Sequence, residues 1–239
     1  TAFAWDNAGY NVYTVFNDVD EYFTGSSVKD KDIAARSHFL VDIDRRTKAN
    51  CPASDAELQH AKDLSDVIRV FMSLHGWLDP LVVMSGNGIH LYYYLNYLPN
   101  TPELTEKIRE QLQLLGDKFD NSHIKVDRSV DNASRLSKVI GTTAKKGNEK
   151  PGRPYRKVKI LSERGRVSGL RMPCLDTLFA NTLRAFRAGR QPAHKPLTKP
   201  RVKFKNIELD DTPNNRALVS SLLSKFSSDC DREIWRSIV

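Results

Sequence analysis

Asp42 and Asp44 lie in the run His38-Phe39-Leu40-Val41-Asp42-Ile43-Asp44-Arg45, where Phe39, Val41 and Ile43 alternate with them. A period of two is that of a β-strand, so both carboxylates leave the same face. Ionised acids this close repel one another unless a hard cation such as Mg2+ or Mn2+, or a basic residue, neutralises them. The pattern therefore has two readings: a pair that shares a divalent ion, or an apolar strand ending in solvent with its acids at a sheet edge.

Three further stretches carry chemistry. Ser85-Gly86-Asn87-Gly88 separates the apolar runs 81–84 and 89–95, and Asn-Gly between two such runs is a strong hairpin signal. Its two glycines would let a phosphate approach the backbone amides, with Ser85 and His90 at the strand ends pointing toward it; a plain surface hairpin is the alternative. Asp127 ends the short alternating run Ile124-Lys125-Val126-Asp127, either as a third carboxylate beside the pair or as a turn residue. Three carboxylates suit a two-metal site, where one ion activates the attacking oxygen and the other steadies the leaving group. Residues 131–140 read as a short helix stopped by Gly141, with Asn132, Arg135 and Lys138 along one side. The following loop, 142–147, adds Lys145 and Lys146. Arginine suits phosphate through paired donors, whereas lysine supplies a point charge; a solvated polar face is again the alternative.

These residues need elements to hold them. Residues 10–17, rich in aromatic and β-branched types, predict a strand ahead of the Asp42/Asp44 strand. Ser54-Asp55-Ala56-Glu57 has capping-box spacing, and Leu58, Ala61, Leu64, Ile68 and Phe71 follow at helical intervals, so a helix should run to about His75, itself read as a cap. Thr101-Pro102 opens a second amphipathic helix through Leu104, Ile108, Leu112, Leu115 and Phe119. A strand is predicted over 157–161 and a helix over 175–186. Tyr92, Tyr93 and Tyr94 read as packing residues. Residues 188–206 are basic and proline-rich, the composition of an extended linker, and two helices follow.

The chain of 239 residues is 40% hydrophobic and 28% charged, enough to bury a substantial core. No run approaches a membrane span or a signal peptide, which predicts a cytoplasmic protein without membrane partners. The start at Thr1 and the stop at Val239 inside a helical pattern read as an excised fragment. Cys51, Cys174 and Cys230 are far apart and outside any Cys-x-x-Cys spacing, which argues against a zinc site and a disulfide framework. The net charge of +8 is concentrated: residues 138–205 hold 19 Lys and Arg against 3 Asp and Glu, and the remainder 18 against 26. Such a block points to a polyanion partner.

Asp42-Ile43-Asp44, Ser85-Gly86-Asn87-Gly88-Ile89-His90 and Val126-Asp127, with Asn132, Arg135 and Ile140-Gly141-Thr142 behind them, together resemble the archaeo-eukaryotic primase superfamily, closest to the primase-polymerases of phages and plasmids. The resemblance covers roughly residues 10–165. It implies an α+β fold: a two-lobed catalytic core with an RRM-like sheet over residues 1–187, the linker over 188–206, and the start of a helical domain over 207–239. It also implies that Asp42, Asp44 and Asp127 hold two Mg2+ or Mn2+ ions. Ser85, Gly86, Asn87, Gly88 and His90 would bind the incoming nucleoside triphosphate, with Asn132, Arg135, Lys138, Lys145 and Lys146 around the triphosphate or template. The activity implied is template-dependent nucleotidyl transfer, making or extending a primer strand on single-stranded DNA, with a helicase domain or protein as a further partner. A zinc-binding stem carried by some relatives has no counterpart in the cysteine spacing here. The alternative is a DNA-binding replication-initiator module without synthesis. A nicking enzyme is disfavoured by the lack of a His-x-His pattern, and a metal-dependent nuclease leaves the 85–90 loop unexplained.

Overall fold

The computed structural model describes residues 1–47, 49–162 and 174–189, which form a mixture of helices and strands. The chain opens with helix α1 (Ala2–Asn7) and strands β1 (Tyr13–Val15), β2 (Asp18–Val19) and β3 (Ile33–Arg45). Helix α2 (Asp55–Leu74), strands β4 (Leu81–Met84) and β5 (Ile89–Pro99), helix α3 (Pro102–Phe119) and strand β6 (Ile124–Val126) follow. The short strands β7 (Leu136–Lys138), β8 (Thr143–Ala144), β9 (Arg156–Lys157) and β10 (Lys159–Ser162) and helix α4 (Leu175–Gly189) complete the set. All belong to one compact unit, Thr1–Arg190.

The main sheet runs β10-β4-β5-β3-β2, with β6 also paired to β3, and every pairing is antiparallel. Between β3 and β6 the chain order is β-α-β-β-α-β with spatial order β6-β3-β5-β4, the ferredoxin-like arrangement. The overall class is thus α+β, as the sequence implied. The alternation in β3 decides which face is which. Phe39, Val41 and Ile43 are fully buried, as are their cross-strand partners Leu91 and Ile89, while Tyr93 opposite Phe39 is nearly so. Helix α2 packs on β3, β5 and β6, and α3 packs on β6 and α2. Ala61, Leu64, Ile68 and Met72 of α2 and Ile108, Leu112 and Leu115 of α3 supply the other half of this core, each large side chain contributing about 1.5–3 kcal/mol on burial. Asp42 and Asp44 leave the opposite face.

Both predicted helices begin where their caps lie. The Ser54 hydroxyl accepts from the Glu57 N–H at 3.2 Å, and Glu57 Oε2 accepts from the Ser54 N–H at 2.8 Å. Thr101 accepts from the Leu104 N–H at 3.2 Å.

Four expectations are corrected. The strand predicted over 10–17 is only Tyr13–Val15, and a helix, Ala2–Asn7, precedes it. The acids do not lie on an edge, because β3 is flanked by β5 on one side and by β2 and β6 on the other. The helix predicted over 131–140 is absent. That segment turns and then forms β7, because β1, distant in sequence, offers it a ladder from Tyr13↔Lys138 to Val15↔Leu136. Asn132, Arg135 and Lys138 therefore do not line one helix face. The strand predicted over 157–161 divides at Val158, whose N–H donates to Thr142 O (2.8 Å) while its carbonyl accepts from Gly141 N–H (2.9 Å). Helix α4 covers the helix predicted over 175–186 and ends at Gly189. The rest of the 188–206 linker and the helices of 207–239 lie outside the described residues. No helix among the described residues is long and apolar enough to cross a membrane.

Candidate active site

Strand register brings together residues that the sequence separates. His90 on β5 lies directly opposite Asp42, and cross-strand partners share a face of the sheet. His90 Nε2 stands 3.4 Å from Asp42 Oδ1. On the other flank the Asp127 N–H donates to the Asp42 carbonyl at 2.8 Å, one step beyond the Ile43↔Val126 pair. Asp127, one residue past β6, is thus Asp42's neighbour on that side, so Asp127, Asp42 of β3 and His90 of β5 follow one another across the sheet. Asp44 follows two residues along β3.

The glycine turn closes against this row. The Ser85 N–H donates to the Gly88 carbonyl at 3.0 Å, which shuts the hairpin. Gly88 lies so near β3 that a Cβ there would fall 2.3 Å from Ile43 O and 2.8 Å from Asp44 Oδ1. Gly86, at φ +98°, is pressed from the other side by Ala144 of β8, where a Cβ would fall 2.2 Å from that side chain. Glycine is required here by close approach at both positions and by a positive φ at Gly86. Asn87 faces inward: it is buried, and its Oδ1 accepts from the Ala53 N–H at 2.8 Å, tying the turn to the entry of α2. The amides of Ser85 and Gly86 already have acceptors, Gly88 O and Met84 Sδ.

The electrostatics follow from crowding. Burial, then the charge of Asp42, push the Asp44 carboxyl up to about 6, against the pull of Lys146, His90 and Arg45. Burial works to lower the His90 imidazole, but the charge and hydrogen bond of Asp42, with Asp44 behind, prevail and raise it. At Asp127 burial also works upward, yet its carboxyl is held below the ordinary range by Ser129 and by the charges of Arg135 and Lys125. Its Oδ1 accepts from the Ser129 N–H at 2.9 Å and hydroxyl at 2.8 Å. The Asp127 carboxylate is thus turned into its own loop, and no three His, Cys, Asp or Glu side chains among the described residues gather tightly enough to hold a metal ion as they stand.

The remaining predicted residues divide. Lys146 supplies positive charge at Asp44, and Arg135 supplies it at Asp127 while its Nη2 donates to the Ser129 carbonyl. Asn132 and the Ser134 amide serve the Asp30 carboxylate instead. Lys138 donates to Asn11 Oδ1 (2.6 Å) and to the Tyr13 hydroxyl (3.0 Å), and Lys145 to Asp6 (2.7 Å), so both anchor the N-terminal segment.

Two residues of the site were read differently or missed. Tyr92 is not merely packing: its hydroxyl is 3.0 Å from His90 Nδ1 and hydrogen-bonds the buried Ser137 hydroxyl of β7. With Nε2 of a neutral His90 donating to Asp42, Nδ1 must accept, so the Tyr92 hydroxyl donates to it and Ser137 donates to Tyr92. Burial pushes Tyr92 up to about 12, which keeps that proton in place. The signal available in the sequence was period two, since Tyr92 shares a strand face with His90; Ser137 gave none. A second unpredicted group braces the end of β3. Buried Arg45 reaches Glu57 (3.1 Å) and the Pro52 carbonyl (3.1 Å), and Arg153 grips both Glu57 oxygens at 2.6 and 3.0 Å. The Arg153 hydrogen bond, with the Ser54 amide and Arg45, outweighs burial and holds Glu57 down at about 2.

No family model matches the chain, and no curated protein matches it. Among solved structures it is similar to the polymerase domain of Mycobacterium tuberculosis ligase D in complex with DNA, with 16% identity and a TM-score of 0.38 over 73% of this chain. The match spans 60% of that structure's own chain.

Proposed function

We propose that the chain is a template-dependent nucleotidyltransferase that joins nucleotides on single-stranded DNA with release of pyrophosphate. One observation carries the reading: Asp42 is flanked across the sheet by His90 and Asp127, with the glycine turn packed on Asp44. The acids suit hard divalent ions, since they are adjacent carboxylates and Asp44 is crowded by burial and by Asp42. Asp42 and Asp44 would hold Mg2+ or Mn2+, with Asp127 joining them once its carboxylate turns away from Ser129; the contribution of the ions when bound is Lewis-acid stabilisation of phosphoryl oxygens. The protein's own part is positioning and charge. His90, oriented by Tyr92 on Nδ1, would donate its Nε2–H to the triphosphate in place of Asp42, and Lys146 adds a point charge beside Asp44. A 3′-oxygen held by the template would then be aligned with the α-phosphorus.

Primer extension with labelled nucleotides tests this. Replacing both Asp42 and Asp44 by alanine abolishes extension and leaves binding to single-stranded DNA intact; activity that survives in a clean preparation refutes the assignment. A second reading, a DNA-binding initiator module that performs no synthesis, is favoured by the engagement of Asp127 with Ser129. It predicts salt-sensitive DNA binding and no extension by the unaltered protein.

A further inference from the structure

Four aromatic side chains near the start of the chain face solvent. Phe3, Trp5, Tyr10 and Tyr13 are 56%, 59%, 58% and 49% exposed. A single exposed aromatic is ordinary, but a cluster marks a binding surface. Leu136 and Ile140, on and just after β7, are exposed as well.

The patch is held in place. The Trp5 and Tyr10 rings meet edge to face at 5.3 Å, and the Tyr10 N–H donates to the Trp5 carbonyl at 3.0 Å. Asp6, between them in sequence, is buried and accepts from the Thr143 N–H (3.0 Å) and from Lys145 Nζ (2.7 Å). A Cβ on Gly141 would fall 3.1 Å from the Phe3 ring, so that ring lies against the same loop.

Its surroundings are cationic. Lys138 Nζ sits 4.3 Å from the centre of the Tyr13 ring. Residues 138–159 carry eight Lys and Arg against one acid, Glu149; Lys145, Arg153 and Arg156 pair with Asp6, Glu57 and Asp55, and Lys146 acts on Asp44. The β1/β7 ribbon joins patch and site: Tyr13 and Lys138 are cross-strand partners, while Ser137 between Leu136 and Lys138 is buried and bonds Tyr92.

We infer that this N-terminal aromatic face binds single-stranded nucleic acid, its rings stacking bases while Lys138, Lys146, Lys150, Lys157 and Lys159 follow the phosphates. The inference takes from the proposed function only that the partner is a nucleic acid. Exposed rings beside an excess of positive charge complement a polyanion with unpaired bases, whereas a duplex hides its base faces.

The test is fluorescence anisotropy of a labelled oligothymidylate with the full chain, without nucleotides. The Trp5→Ala/Tyr10→Ala variant binds about tenfold or more weakly, since stacking contributes roughly 1–3 kcal/mol per base, and its salt slope is unchanged. Trp5→Phe/Tyr10→Phe restores affinity, and Lys138→Ala instead flattens the slope by about one. Ultraviolet crosslinking of the unaltered protein to a bromodeoxyuridine oligonucleotide maps to residues 3–13, which covers the case of a variant that fails to fold. Undiminished affinity in the folded double variant, or crosslinks confined elsewhere, overturns the inference. So does sedimentation that shows the unaltered chain dimeric and the double variant monomeric, since the face would then belong to a second copy. The assay contains no nucleotide and reads no synthesis, so a failure of the catalytic reading leaves this result standing on its own.

Discussion

Replacing Gly88 by alanine inserts one methyl group between the hairpin turn and β3. The backbone there does not require positive φ, so the obstacle is steric: the new carbon would lie 2.3 Å from Ile43 O and 2.8 Å from Asp44 Oδ1. A carbon–oxygen contact relaxes to roughly 3.3–3.6 Å, so turn and strand must separate by about 1 Å. Overpacking of this kind costs about 1–3 kcal/mol. The catalytic cost is larger in proportion, because a displacement of about 1 Å between groups that must align lowers a rate on the order of a hundredfold. The assay is single-turnover incorporation on a primed template, with far-ultraviolet circular dichroism and thermal melting alongside. The expected result is a native spectrum, a melting point lower by a few degrees and incorporation down by about two orders of magnitude. Incorporation at the unaltered rate in the folded variant would refute the reasoning, since the turn would then have no part in placing Asp44 or the nucleotide.

Tyr92→Phe removes the donor to His90 Nδ1 and leaves Ser137 without its Tyr92 partner; KM for the triphosphate rises more than kcat falls, and equal effects on both would contradict an orienting role. Asp44→Asn removes a carboxyl whose folded value, about 6, lies above its ordinary 3.8. The ionised form is therefore a burden that is absent below about pH 4 and complete above about pH 6. In chelator the variant melts higher than the unaltered protein at pH 8, the difference shrinks toward pH 4, and extension activity is lost. Glu57 behaves oppositely: its folded value of about 2 lies below the ordinary 4.5, so its contribution is complete above about pH 4.5 and fades as pH falls toward 2. Glu57→Gln accordingly melts lower at pH 7 and converges on the unaltered protein in acid; a constant gap across that range would exclude the Arg153 and Arg45 bonds as the cause.

Features set by neighbours along the chain were legible before any coordinates. The alternation of Phe39, Val41 and Ile43 with the two acids, the Ser54/Glu57 capping box, the Thr101-Pro102 helix start and the Asn87-Gly88 hairpin each rest on contacts within a few residues, so local sequence determines them. Residues 131–140 mark the boundary of that reasoning, since their helical spacing was real but a strand 120 residues earlier supplied a better set of hydrogen-bond partners. The site lies on the far side of the same boundary. Only the tertiary structure decided that His90 and Asp127 flank Asp42, that Asp127 bonds Ser129, that Ser137 reaches Tyr92, and that Lys138 and Lys145 hold the N-terminal segment. Register between strands distant in the chain is fixed by how whole faces bury together, and no short window of residues contains that information.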